Sequence, residues 1–224
     1  MALTAEFTEE LRALLEAYAG SPLPEWELVA ERLAEVTVSA GQVLIGYGEQ
    51  HPYVYVVQRG LMKIHDTSAD GRIRILAFCD EGQWVASVSA LRPEGVRRIY
   101  ELGLDHNPQD LEEAVTGESR SITTALEPST LARIDFQIIE ELARRHLGWA
   151  QLLITYFYAH LLHVQADAYR MRFITPEQRY RSIVDEHPRW PARVKQRDLA
   201  AYLGVSEVGL SRIASRVLRS LNGS

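Results

Sequence analysis

The stretch Gln196–Leu218, QRDLAAYLGVSEVGLSRIASRVL, constrains this chain more than any other. Leu199, Leu203, Val205, Leu210 and Ile213 are apolar at the offsets where two short helices, crossing steeply, bury one shared core. Ala200 follows the first of them, where close approach of the helices leaves room for little more than a methyl group. Gly204 falls where the first helix must end in a left-handed residue, which only glycine adopts without steric cost. Ser206 then reads as the N-cap of a second helix over residues 207–220. The spacing is that of a helix-turn-helix whose second helix enters a DNA major groove. An ordinary helical hairpin shares the apolar periodicity, so the context has to decide.

Charge supplies the first context. Over the whole chain 24 basic residues face 30 acidic ones, a net charge of −6 that looks wrong for a partner of DNA. Residues 175–224, however, hold nine Lys and Arg against five acids, a surplus of four. Residues 1–174 hold the other 15 basic and 25 acidic residues. The basic surplus lies with the helix-turn-helix, as expected when one domain meets phosphates and the other does not. With 224 residues, the chain can build one large or two moderate domains. Cys79 is the only cysteine, which excludes an internal disulfide, a four-cysteine iron–sulfur cluster and a cysteine-rich zinc site. No apolar run approaches the roughly 20 residues of a membrane helix. The opening MALTAEFTEEL lacks the regions of a signal peptide, so a cytoplasmic protein with no membrane partner is expected.

In chain order, residues 6–19 and 24–33 carry leucines and alanines at helical spacing. From Val36 the pattern changes to short β-rich runs punctuated by Gly41, Gly48, Gly60, Gly71 and Gly82, which predicts an antiparallel roll. Residues 68–71 read as a hairpin turn between strands over 61–66 and 72–78. A polar, acidic insertion runs from Arg92 to Glu118, with a helix start at Asn107-Pro108. Strand character returns over 120–126 and 130–135. A long helix over about 147–171 follows, with Trp149, Leu152, Leu153, Tyr156, Leu161 and Val164 as the face offered to a second copy. The same helix could instead lie along its own roll. Thr175-Pro176-Glu177 caps a new helix and marks a boundary. The expected domains are 1–146, 147–172 and 173–224.

This order of parts resembles the catabolite activator protein and fumarate–nitrate regulator (Crp/Fnr) family of transcription regulators. The residues that carry the resemblance are Gly48-Glu49, Gly60 and Gly82, the strand pair from Ala125 to Ile134, and Leu199–Ile213. It implies an α+β chain: a cyclic-nucleotide-binding-type β-roll, a long dimerisation helix and a C-terminal (winged) helix-turn-helix. It also implies a homodimer, a palindromic DNA site read in successive major grooves, and RNA polymerase as a possible partner.

Effector positions depart from the family pattern. Where cyclic-nucleotide binders place a Glu for the ribose, this chain has Gln83 after Gly82, then Trp84-Val85-Ala86-Ser87. The position of the arginine that meets the cyclic phosphate holds Ser119. Arg120 falls one place later, and a one-residue shift in a strand points to the opposite face. Gln83, Trp84, Ser87, Arg120 and Ser121 are the candidate pocket, and the resemblance argues against cyclic AMP, whose charge-assisted phosphate contact is hard to replace. No cofactor is assigned. Haem stays open, because seven histidines offer axial ligands without a spacing that selects one.

The DNA candidates are Lys195, Gln196, Arg197, Ser206, Glu207, Val208, Gly209, Ser211, Arg212 and Arg216. The first turn of the second helix faces base edges. There Arg212 can take guanine O6 and N7, Ser211 can donate or accept, and Val208 can offer only apolar contact. Lys195, Gln196, Arg197 and Arg216 suit phosphates. Nothing in the chain spells a nucleophile elbow, a phosphate loop or a metal-ligand pair, so no enzyme is expected. The rival reading is a degenerate sensor that binds proteins and has lost DNA reading, with the eccentric Glu207-Val208-Gly209 as its mark.

Overall fold

The computed structural model describes residues 4–67, 71, 73–91, 94–103 and 116–222. They form two compact units, Met1–Met62 with Cys79–Ala159, and Lys63–Phe78 with His160–Ser224.

In the first unit, α1 (Ala5–Ala19) is capped by the Thr4 hydroxyl, which accepts from the Phe7 amide, and ends on the left-handed Gly20. Phe7, Leu11, Leu15 and Ala19 recur every four residues and are buried as one stripe. The second N-terminal helix, α2 (Trp26–Ala30), is shorter than the sequence suggests, because the chain extends into strand at Ala34. A four-stranded sheet follows, in the order β1 (Ala34–Val38), β8 (Ser129–Asp135), β3 (Tyr53–Arg59), β6 (Trp84–Val85). Its strands are antiparallel, with Val36 opposite Leu131 and Tyr55 opposite Arg133 on one side and Val85 on the other. Val54 to Val57 are all buried, as an inner strand requires. Strand β2 (Val43–Ile45) pairs with β7 (Ile122–Ala125) across a register shift.

Gly60, at φ 112°, is one glycine that cannot be replaced. A Cβ there would lie 2.1 Å from Ser129 Oγ and 2.7 Å from Ser129 Cα. The helix α3 (Glu94–Glu101) occupies part of the segment expected as an insertion, whereas the helix start expected at Asn107 lies outside the described residues. Helix α4 (Phe136–Arg145), capped by Asp135, buries Phe136, Ile138, Ile139 and Leu142. These join the α1–α2 residues, Trp149 and Leu152 in one core.

Helix α5 (Leu147–Phe173) is longer by two residues than the spacing predicts. Its start is packed tightly. A Cβ on Gly148 would come within 2.7 Å of the Pro22 carbonyl oxygen.

The second unit combines a hairpin with helices. Strands β4 (Met62–Thr67) and β5 (Ile73–Cys79) are neighbours, and the expected turn at 68–70 lies outside the described residues. Helix α6 (Pro176–Glu186) opens with the expected cap at Thr175, completed by Gln178 as a capping box. A single turn, α7 (Trp190–Arg193), leads to α8 (Gln196–Leu203) and α9 (Glu207–Asn222). Tyr180, Ile183, Trp190, Val194, Leu199, Leu203, Leu210, Ile213 and Val217 are buried along these helices. The described residues from 174 to 222 contain no strand, so the wing implied by the resemblance is not found among them.

Candidate DNA interface and sensor region

Helix α8 ends as its sequence requires. Gly204 adopts φ 67°, and the Val205 amide donates to the Ala200 carbonyl at 3.0 Å, closing the turn. Leu199, Ala200 and Leu203 face inward at 1–3% exposure, which leaves no room to enlarge Ala200. The last carbonyl of the helix, that of Leu203, accepts from Arg179 Nη2 at 2.6 Å, while Nη1 of the same guanidinium meets the Met171 sulfur. Burial lowers the pKa of this arginine. Sequence reading counted Arg179 only as charge, and nothing in its local pattern marks it as the buttress of the turn.

Helix α9 begins at Ser206, whose hydroxyl accepts from the Gly209 amide at 3.1 Å. That contact gives Gly209 a local reason. A Cβ there would stand 3.2 Å from the capping Oγ, tighter than nine in ten such contacts. The inward positions Leu210, Ile213 and Val217 put Glu207, Val208, Ser211 and Arg212 on the solvent side, with Val208 63% exposed. Lys195 and Arg197 are exposed as well. Three of the expected phosphate contacts have partners within the unit: Gln196 Nε2 donates to the Glu207 carbonyl at 3.1 Å, Arg216 Nε meets Glu177 Oε2 at 2.7 Å, and Arg197 Nε lies 3.8 Å from Asp198 Oδ1.

Several of the candidate effector residues are engaged with partners of their own. Gln83 accepts from the Asp80 amide at 3.0 Å and so closes a turn. The Trp84 ring packs against Tyr18 and Tyr156, at 6.2 and 4.7 Å between centroids. It lines a small apolar cavity with Val54, Leu91, Phe136, Ile139 and Leu152, among others. No histidine or cysteine lines that cavity. Ser87 is buried with its hydroxyl 3.3 Å from that of Ser89, which itself donates to the Glu118 carbonyl at 2.8 Å. Ser119 is 1% exposed and donates to the Ser121 carbonyl at 2.7 Å, whereas Arg120 is exposed and Ser121 half-buried. Ser119, which stands where the resemblance implies a phosphate-binding arginine, thus offers a neutral hydroxyl already engaged with the backbone.

Most other histidines have partners too. His51 Nε2 lies 2.6 Å from the Tyr55 hydroxyl, His146 Nε2 2.8 Å from Glu25 and His163 Nε2 3.2 Å from Asp167, and His187 stacks on Trp190. Among the described residues no group of three or more His, Cys, Asp or Glu could hold a metal ion.

The expected dimer face on α5 is corrected by its packing. Trp149 and Leu152 are 0% and 1% exposed, and Leu153 and Tyr156 are half-buried against the same unit's core or the Trp84 ring. Of the six expected residues only Leu161 and Val164 are exposed. Ile154, Tyr158 and Leu162 are exposed apolar side chains that sequence reading missed. The helix is apolar on two sides, and its own core takes the side that holds Trp149.

Comparison with known proteins agrees with this architecture. The cyclic nucleotide-binding domain family matches residues 35–101. No curated protein matches the chain in sequence. Among solved structures, FixK2 from Bradyrhizobium japonicum is similar at TM-score 0.65 and 19% identity, over 84% of this chain and 85% of that one. CLP from Xanthomonas campestris, described as a c-di-GMP responsive global regulator, is similar at TM-score 0.58 and 15% identity, over 85% and 88%. CprK, in complex with OCPA, is similar at TM-score 0.55 and 14% identity, over 92% and 83%. No described helix is long and apolar enough to cross a membrane.

Proposed function

This chain has the fold of the Crp/Fnr-type transcription regulators, and we propose that it binds a palindromic DNA site as a homodimer. One observation carries the reading. A helix capped at Ser206 and buried along Leu210, Ile213 and Val217 turns Glu207, Val208, Ser211 and Arg212 outward together, beside exposed Lys195 and Arg197. In that arrangement Arg212 and Ser211 read base edges, Val208 meets a thymine methyl group, and Lys195 and Arg197 hold phosphates. The second copy meets the exposed stripe Ile154, Tyr158, Leu161 and Leu162, since the opposite side of α5 is spent on its own core. Cyclic AMP is not its effector, because the position where the resemblance places the phosphate-binding arginine holds the buried Ser119 hydroxyl, and Arg120, one residue later, is exposed at a bend.

The test is selection of genomic fragments by the purified protein, followed by titration of the best fragment at two salt concentrations. Replacing Arg212 by Ala should weaken binding to that fragment by about 1–3 kcal/mol and relax specificity at one position. Arg197→Ala should weaken binding to all sequences alike and reduce the salt slope by about one. Equal affinity of Arg212→Ala and the parent overturns the base-reading role. Failure to enrich any sequence, with or without cyclic nucleotides or haem, favours a protein-binding module.

A further inference from the structure

The sulfur-bearing side chains among the described residues differ sharply in access. Met62 and Cys79 are 0% and 6% exposed, whereas Met171, near the end of α5, is 48% exposed. Burial also keeps the Cys79 thiol protonated, so it offers an oxidant no thiolate. An oxidant in solution therefore meets the Met171 thioether before either of the others.

That sulfur has a structural task. It accepts from Arg179 Nη1, while Nη2 of the same guanidinium donates to the Leu203 carbonyl at 2.6 Å. Arg179 Nε is buried and finds no acceptor, and no carboxylate pairs with this arginine among the described residues. The guanidinium is thus held by one weak acceptor, the sulfur, and one strong one, the carbonyl that ends α8. The Met171 methyl group lies beside the same turn, since a Cβ on Gly204 would stand 3.7 Å from it. Met171, Arg179, Leu203 and Gly204 belong to one compact unit.

Hydrogen peroxide converts a thioether to a sulfoxide. The sulfur lone pair attacks one peroxide oxygen, an S–O bond forms, the O–O bond breaks, and the other oxygen leaves as water with both protons. Sulfur gives up two electrons and the peroxide takes the same two. The product carries a strongly accepting oxygen on a sulfur that Nη1 already touches. A guanidinium is a rigid fork, so Nη1 cannot make room for that oxygen while Nη2 stays on the Leu203 carbonyl.

We propose that Met171 is an oxidant-sensitive modification site, and that its sulfoxide draws Arg179 off the Leu203 carbonyl and loosens the turn between α8 and α9. A thiol-dependent methionine sulfoxide reductase reverses the step, two thiols becoming a disulfide and the sulfoxide oxygen leaving as water. Weaker DNA binding after oxidation rests on the DNA-binding reading; the site and its hold on the turn do not.

The experiment treats the full chain with hydrogen peroxide and begins without DNA. Mass spectrometry of its peptides should show Met171 oxidised about tenfold or more faster than Met62. Backbone hydrogen exchange in residues 203–205 should then rise about fivefold or more, and methionine sulfoxide reductase with dithiothreitol should restore it. Met171→Leu, close in volume and without a reactive sulfur, should keep the parent's exchange before and after peroxide. Arg179→Gln should show the loosened turn before any oxidant and no further change after it, as expected if both act through one contact. Equal oxidation of Met62 and Met171 overturns the proposal, as does a sulfoxide at Met171 that leaves 203–205 unchanged. Loosening by peroxide that persists in Met171→Leu also overturns it. The second arm measures affinity for the parent's selected fragment, which oxidation should weaken by about tenfold in the parent and by less than about twofold in Met171→Leu. Unchanged affinity with a loosened turn overturns the consequence for DNA. A parent that selects no fragment refutes the DNA reading, while reversible loosening at 203–205 still supports the site.

Discussion

Replacing Trp149 by Ala separates the two faces of α5. The side chain is fully buried, its ring is nearly parallel to Trp26 at 6.3 Å between centroids, and its Nε1 donates to the Pro24 carbonyl at 2.7 Å. An aromatic residue of this size removes about 200 Å² from water, which at about 25 cal/mol/Å² amounts to roughly 5 kcal/mol. Alanine keeps a small part of that, but the Pro24 carbonyl loses its donor at a cost of about 1–3 kcal/mol. Partial collapse of the site offsets some of the loss, so the expected cost is about 4 kcal/mol, inside the range of about 3–5 measured for buried aromatic truncations. For a chain of this length that is a fall in Tm of roughly 8–16 °C. The assay is urea unfolding followed by circular dichroism at two widely separated protein concentrations, with Ile154→Ala beside it. Trp149→Ala should lose the same free energy at both concentrations. Ile154, 60% exposed, should matter only where copies associate. A loss of less than about 1.5 kcal/mol for Trp149→Ala, or one confined to the association step, would refute the assignment of Trp149 to the core.

Two further outcomes test the roll. Gly60→Ala should cost about 3 kcal/mol or more in the same unfolding experiment, from positive φ and overpacking together. Adding Ser129→Gly should not restore it, because the Ser129 Cα itself would lie 2.7 Å from the new methyl group. Cys79 is buried, and burial pushes its thiol up to about 12. At pH 8 only about one molecule in ten thousand then carries the thiolate, so a thiol reagent should label the native chain no faster than it unfolds. Rapid stoichiometric labelling at pH 8 would place Cys79 at the surface.

What could be read from the sequence follows from how locally each feature is determined. The helix-turn-helix is complete within about 20 residues, and its parts satisfy independent local rules: an inward apolar set, a left-handed glycine and a hydroxyl cap. All three are present at Leu199, Gly204 and Ser206, so agreement between levels identified the motif. The strand expected from residue 120 begins only at Ile122, so the difference between buried Ser119 and exposed Arg120 arises at a bend before it and not from strand alternation. Helix α5 was legible as a helix but not as an oriented one. Trp149, Leu152 and Tyr156 on one side and Ile154, Tyr158 and Leu161 on the other are equally apolar, and periodicity names a face only when the other face is polar. The contacts that join distant parts leave even less trace. Asp198 looks like any acid in a helix's first turn, where the helix dipole alone would justify it. Lys63 looks like any outward lysine on a strand. Their pairing becomes visible only once β4 lies beside α8, where the same two residues change from ordinary surface charges into a buried pair, with Arg197 Nε 3.8 Å from the same carboxylate oxygen.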